Sequence, residues 1–265
     1  MDLLQIMNIQ DEATRVQKIY EVFHEDTRLN WSKAARVEFL TTVRVIEEYV
    51  KPGDSILDVG AGAGEYSLHF ARKGYRVSAL ELADSNIRAF RAKLTPEDDL
   101  DLVQGNALDM SRYEEASFDA VLLFGPLYHL GKTEDQLRCI AEAKRVCKPG
   151  GKLFFTFISN DFVILTEFRR HPDYFTDGYY DKETFRLDDF PFVFHTVQSC
   201  RTLLTEGGIR ILREVATDGV SEFLQAEINA LDEAGFEQYL RYHFYICEKP
   251  ELLGMSNHLL FVGEG

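Results

Sequence analysis

Residues 56–82 read ILDVGAGAGEYSLHFARKGYRVSALEL, and this stretch decides how the rest of the 265-residue chain is read. An apolar run breaks into three alternating glycines, a helical stretch follows, and a second apolar run ends on a carboxylate, which spells strand, turn, helix, strand. Gly60, Gly62 and Gly64 remove side chains where the chain must turn sharply and where backbone must lie close to a ligand. Glu81 falls 17 residues after Gly64, at the carboxyl end of the second strand, where its two oxygens can accept hydrogen bonds from both hydroxyls of a ribose. Asp58 puts a second acid into an apolar strand just before the glycines, where an unpaired carboxylate is expensive to bury. Together these residues predict a ligand that carries a ribose and a positive charge.

Outward from that unit the alternation continues. Residues 1–50 read as two or three helices, on apolar positions Val16, Ile19, Tyr20 and Phe23 and then Phe39, Val43, Ile46 and Val50. The turn KPGDS (Lys51 to Ser55) delivers a short buried strand, Ser55 to Val59. Tyr66 to Lys73 is a helix stopped by Gly74, Arg76 to Glu81 is the second strand, and Asp84 is read as the N-cap of a helix to about Leu94. Leu100 to Gln104 and Ser117 to Pro126 read as the third and fourth strands. Thr133 is read as the cap of a helix with the stripe Leu137, Ile140, Ala143 and Cys147, and KPGG at 148–151 turns it into a fifth strand, Lys152 to Ile158.

From residue 160 to 195 the pattern breaks into a segment dense in aromatics and charges, read as an insertion over the sheet. A helix over 196–206, a strand over 209–216, a largely helical 220–245 and a strand over 258–262 follow. Five βα-type units in sequence argue for a doubly wound, mostly parallel α/β sheet. The expected organisation is a single domain over 1–265, with 1–50 as leading helices able to cap a cofactor and 160–195 as an inserted cap.

Composition narrows the function. The formal charge of −15 and pI of about 4.9 repel polyanions and argue against a nucleic-acid partner. The four cysteines form no CxxC pair and no cluster at metal-ligand spacing, so free thiols in a reducing cytosol, and no metal, are expected. The start MDLLQIMNIQDEATR has no basic region or long apolar run, so no signal peptide is expected, and Ala120 to Leu130 is too short to span a membrane. A cytoplasmic protein follows from this reading, and nothing in the pattern selects an oligomeric state.

Five ordered segments resemble one known family, the class I S-adenosylmethionine-dependent methyltransferases. DVGAGAG (Asp58 to Gly64) is similar to its cofactor loop, Glu81 to its ribose-binding acid and GNALD (Gly105 to Asp109) to the segment around the adenine; FDAVLLFGPLYHL (Phe118 to Leu130) and CKPGG (Cys147 to Gly151) match the fourth strand and the turn before the fifth. The resemblance implies a seven-stranded Rossmann-like sheet whose last strand is antiparallel, and an enzyme that methylates a small-molecule acceptor with S-adenosylmethionine, releasing S-adenosylhomocysteine. It implies cofactor contacts from Asp58, Gly60, Ala61, Gly62, Gly64, Glu81, Leu82, Asn106, Ala107 and Phe124. Asp58 would support the methionine end, Leu82 would pack on the adenosine, and Asn106 stands where the family more often has an acid.

Phe124 to Leu130 would line the mouth where donor and acceptor meet, and Tyr128 and His129 are the groups there with useful proton chemistry. His129 is the candidate general base, because an unperturbed imidazole titrates near neutrality. The acceptor motif NPPY is replaced by FGPLY, which weakens an adenine or glutamine acceptor. Two readings stand for Tyr20, Trp31 and Arg36 of the leading helices: closing over the cofactor, as the resemblance implies, or packing against the domain edge, which is preferred slightly for each taken singly. Two other readings stay open: a cofactor-binding regulatory protein without catalysis, and an NAD-dependent dehydrogenase. The latter wants a glycine three positions after its second, and that position is Glu65.

Overall fold

The computed structural model describes residues 3–23 and 27–265. Three helices lead, α1 (Leu3–Met7), α2 (Glu12–Val22) and α3 (Lys33–Glu47), then β1 (Ser55–Val59), α4 (Glu65–Arg72), β2 (Arg76–Glu81), α5 (Asp84–Lys93), β3 (Leu100–Gln104) and β4 (Phe118–Leu123). A single 3₁₀ turn at Pro126–Tyr128 precedes α6 (Thr133–Val146) and β5 (Cys147–Ser159). The remainder is α7 (Asn160–Arg170), α8 (Tyr174–Asp177), β6 (Phe194–His195), α9 (Val197–Glu206), β7 (Arg210–Ala216), α10 (Gln225–Ala230), α11 (Glu233–Ile246) and β8 (His258–Glu264).

The strands order as β3-β2-β1-β4-β5-β8-β7, with β8 antiparallel to both neighbours and the other pairs along that path parallel. The order reverses between β1 and β4, and in such sheets the crevice at the strand carboxyl ends beside the reversal is where ligands bind. Side chains alternate across the sheet with period two. Leu57, Val59, Val121, Leu123, Phe155 and Phe157 face α6 and α9, whereas Ile56, Ala120, Leu122 and Phe154 face α3 and α4. The leading helices are locally specified as well: Asp11 caps α2 by accepting from Thr14 N at 2.8 Å, and Ser32 caps α3 by accepting from Ala35 N.

Several expectations need correction. The path holds the seven strands expected, and among the described residues a two-residue β6 adds to it, pairing parallel to β5 at Ile158 and Ser159 on the edge that β4 leaves vacant because its own pairing stops at Phe155. KPGG is a bulge inside a continuous β5, where pairing jumps from Cys147 to Lys152 across a two-residue step in β4. Asp84 and Thr133 are the first helical residues, and the capping positions fall on Ala83 and Lys132, neither with a side-chain cap. The segment from 160 opens with the eleven-residue α7, and Ile164, Tyr174, Tyr180, Leu187 and Phe194 bury a small core of their own against Ile158 and Tyr128.

Phe154 is fully buried between the central strands and the first helical layer, with the Tyr49 ring 5.9 Å away. Phe154→Ala leaves a cavity at the sheet centre and should lower unfolding free energy by about 3–5 kcal/mol in urea melts; a loss below about 1 kcal/mol would mean the site is not packed as described.

Candidate functional site

The loop after β1 is built from backbone amides and held by neighbouring strands. Gly60 N and Ala61 N both donate to Leu80 O, at 2.8 and 3.2 Å. Gly60 and Gly64 have φ of +79° and +84°, and a Cβ at either would collide with protein: 2.6 Å from Phe124 O at Gly60, 2.4 Å from the Phe90 ring at Gly64. The sequence assigns the three glycines to a sharp turn and to close approach of a ligand; in the fold, the packing of α4 on α5 leaves no room for a side chain at Gly64, and the turn after β4 leaves none at Gly60.

Glu81 is 4 % exposed and ties the loop to the second strand. Its Oε2 accepts from Gly62 N at 2.7 Å; its Oε1 accepts from Ala83 N at 2.7 Å and from the Asn86 amide at 3.3 Å. Asp58 is 1 % exposed; Oδ2 accepts from the Ser67 hydroxyl at 2.6 Å, while Oδ1 is buried with no partner among the described residues. Burial, with the Glu81 charge adding to it, pushes the Asp58 carboxyl up to about 7 against the opposing Ser67 hydrogen bond. An orphaned acceptor beside a second carboxylate is an arrangement that a cation relieves.

Two cavities meet at Gly60 and Tyr20. The larger, about 910 Å³, runs past Glu81, Leu82, Asn106 and Ala107 to His129, and is closed by residues of α2 and by Asp188–Phe190. The smaller, about 40 Å³, touches Asp58, Gly60, Ala61, Gly62, Phe124 and Tyr128. Gly64 lines neither. Asn106 Oδ1 accepts from Leu108 N at 2.9 Å, which shapes the turn at the wall of the larger cavity. Trp31 is 60 % exposed and lines neither cavity, whereas Tyr20 donates or accepts at His129 Nε2 over 2.8 Å.

Burial removes the near-neutral titration expected of His129 as a base. The ring lies among Tyr20, Tyr128 and Phe192, Nδ1 is buried without a partner among the described residues, and burial, with Arg15 nearby, drives the imidazole down to about 3. His129 is therefore neutral and a weak proton acceptor at neutral pH. A charged cluster that the sequence reading missed, Arg28, Glu38 and His258 with Asp218 behind them, borders the smaller cavity. Its members are up to 230 residues apart, from Arg28 to His258, so only an acid in the short TDG stretch and a polar residue opening an apolar strand could have hinted at it.

Comparison with known proteins bears on this geometry. Residues 57–155 match a family described as a methyltransferase domain. Over that stretch, which carries the glycine loop, Glu81 and β4, the chain is a methyltransferase domain. It is similar to a ubiquinone biosynthesis O-methyltransferase of Hahella chejuensis, 28% identical over 61% of this chain and 63% of that protein. The chain thus spans less than two thirds of the length of the curated relatives it matches. Among solved structures it is similar in fold to magnesium protoporphyrin IX methyltransferase from Synechocystis PCC 6803, at TM-score 0.59 and 13% identity over 96% of this chain and 100% of that one. It is equally similar to the [4+2]-cyclase SpnF, at TM-score 0.59 and 18% identity over 95% and 96% of the two chains. One fold thus carries different chemistries, and the reaction must be argued from residues.

The residues fit the methyltransferase cofactor, S-adenosylmethionine. The unpartnered Asp58 Oδ1 suits a cationic ligand, Glu81 stands on the cavity wall as an acceptor, and the loop between them offers backbone at close range.

An acid whose folded pKa stands above its unfolded value keeps its proton in the folded chain where the unfolded chain has lost it, so it lowers stability as pH rises through that window. For Asp58 the window runs from about 3.8 to about 7. Asp58→Asn should therefore gain stability over the ligand-free wild type progressively between pH 4 and pH 7. Urea melts at four or five pH values measure this; a difference that does not change with pH contradicts the raised carboxyl.

Proposed function

We propose that the protein transfers a methyl group from S-adenosylmethionine to a small-molecule acceptor by in-line displacement. The observation that carries this reading is the pair of buried acids, Asp58 and Glu81, flanking a backbone loop that opens on both cavities. When bound, S-adenosylmethionine supplies a methyl group on a positively charged sulfur. The chain's own part is to bind, align and keep water out. Asp58 faces the cationic end, Glu81 the ribose, and Leu82, Asn106 and Ala107 the base, with Phe124 and Tyr128 at the meeting point of donor and acceptor.

In this reading 1–265 works as one domain, and α1–α2 together with the segment 160–195 form the cap over the larger cavity. Asp188 and Phe190 from one side and Arg15 and Tyr20 from the other support it. Tyr20 with His129 is then a latch between the cap and the turn after β4, with His129 holding position in place of transferring protons. The acceptor is a small molecule bearing a hydroxyl, supported by relatives named as O-methyltransferases. The acidic charge of −15 supports a partner that is not nucleic acid. The four buried free thiols support a cytoplasmic location; among the described residues no helix is long and apolar enough to cross a membrane.

Calorimetry tests the binding half. A cation beside Asp58 lowers its pKa, so S-adenosylmethionine binding at pH 6 should release up to one proton, read from titrations in buffers of different ionisation enthalpy. Asp58→Asn should abolish the release. Glu81→Gln should weaken affinity about tenfold to a hundredfold, the range for hydrogen bonds to a charged group. A wild-type chain that binds no S-adenosylmethionine would overturn the proposal, and a screen of hydroxylated metabolites with labelled donor separates an enzyme from a binding protein.

A further inference from the structure

The charged cluster borders the smaller cavity, where Arg28, Glu38 and His258 share the wall with Asp58. Because β8 runs antiparallel to β5, its first residue, His258, pairs with Ile158 and lies at the end of the sheet where β1, β4 and β5 finish. His258 Nδ1 is 2.8 Å from Asp218 Oδ2 and 3.3 Å from Glu38 Oε2. Asp218 is itself fixed, since its Oδ1 accepts from the Ser256 hydroxyl and from His258 N. Arg28 Nη1 stands 2.7 Å from Glu38 Oε2, so that carboxylate already has its cation. The other ring nitrogen, Nε2, makes no hydrogen bond among the described residues, and the side chain is 16 % exposed. The ring lines the cavity with Asp58, Gly60, Tyr128 and Thr156.

We propose that His258, positioned by Asp218, is the proton acceptor for the hydroxyl of the methyl acceptor, an inference that rests on the methyl-transfer reading above. The hydroxyl proton moves to Nε2, whose lone pair forms the new N–H bond, and the O–H electron pair stays on oxygen. That oxygen uses a pair to form the O–CH₃ bond, the S–CH₃ pair stays on sulfur, and Nε2 later passes its proton to water. Asp218 fixes the ring so that Nδ1 carries the resting proton and Nε2 is bare, the orientation that a carboxylate behind an imidazole imposes.

The surrounding charges suit this role, as those around His129 do not. Burial works against a charged ring at His258, yet Glu38 and Asp218 outweigh it and hold the imidazole above its ordinary value, with Arg28 opposing them. The groups that face the pair are Glu38 from α3, Arg28 ahead of it, Asp218 after β7, and His243 of α11, whose Nε2 lies 3.1 Å from Thr217 O. A base acts only when unprotonated, so turnover should rise with pH through the His258 midpoint.

Two measurements on the full chain test this. In two-bond ¹H–¹⁵N spectra of histidine-labelled protein, His258 should show the Nδ1–H tautomer and a midpoint above the roughly 6.5 of free imidazole. In Asp218→Asn the midpoint should fall. With the hydroxylated acceptor that the metabolite screen turns over, His258→Gln should lower kcat on the order of 10²- to 10⁴-fold while the S-adenosylmethionine Kd changes less than threefold. Asp218→Asn should shift the acidic limb of the rate profile to lower pH. An Nε2–H tautomer, a midpoint below that of free imidazole, or an unchanged kcat in His258→Gln would each overturn the assignment. If the screen yields no turnover or the variant does not fold, the wild-type tautomer and midpoint decide it. Loss of cofactor binding in the wild type would instead defeat the methyl-transfer reading.

Discussion

The Glu81 carboxylate is the pin on which the candidate site turns. It sits at the end of β2 and accepts hydrogen bonds from the loop after β1 through Gly62 N, from the chain entering α5 through Ala83 N, and from Asn86 inside that helix. Three segments are thereby held to one buried anion. Replacing those bonds by water is not open to a group 4 % exposed, so the geometry is set before any ligand arrives. Preorganisation of this kind spares a ligand the entropy of ordering a loop on binding.

The second constraint is electrostatic. Asp58 and Glu81 lie close enough that the charge of one raises the pKa of the other, and Asp58 has an oxygen with no partner. The ligand-free protein relieves this in part by raising the Asp58 carboxyl to about 7, which leaves it about half protonated at neutrality. The other buried acids, Glu38 and Asp218, are compensated within the protein by Arg28 and His258. Among the described residues, Glu38 and Asp218 are thus satisfied by the chain's own cations, whereas Asp58 keeps one oxygen without a hydrogen bond.

The ease with which each part was read from sequence follows the range of the interactions that specify it. β1, β2 and β3 fall where their apolar runs fall, because strand, glycine turn and helix stop are all written within a few residues. Glu81 was legible for the same reason, lying at a fixed distance after the glycines. The cap positions at Ala83 and Lys132 were missed because Asp84 and Thr133 are equally good residues one step further on. β6 is two residues long and exists only because β4 stops early beside β5. His129 misled because nothing local shows that Tyr20 and Phe192 will bury it, and His258 was passed over because its partners come from positions 38 and 218.

The placement of β8 has a consequence for how the chain reaches this state. β8 follows every other strand in chain order, yet it inserts between β5 and β7, bonding to both along most of its length. Until it arrives, β5 and β7 each present an open hydrogen-bonding edge, and the apolar side chains of β5 lack the cover of Leu260 and Val262. Pairings this distant in sequence form slowly, because a long loop must close before any contact compensates its lost entropy. The interval before β8 docks is therefore the window in which the nascent sheet is most open to pairing with another chain, and the same late step that seals the sheet brings His258 to its carboxylates.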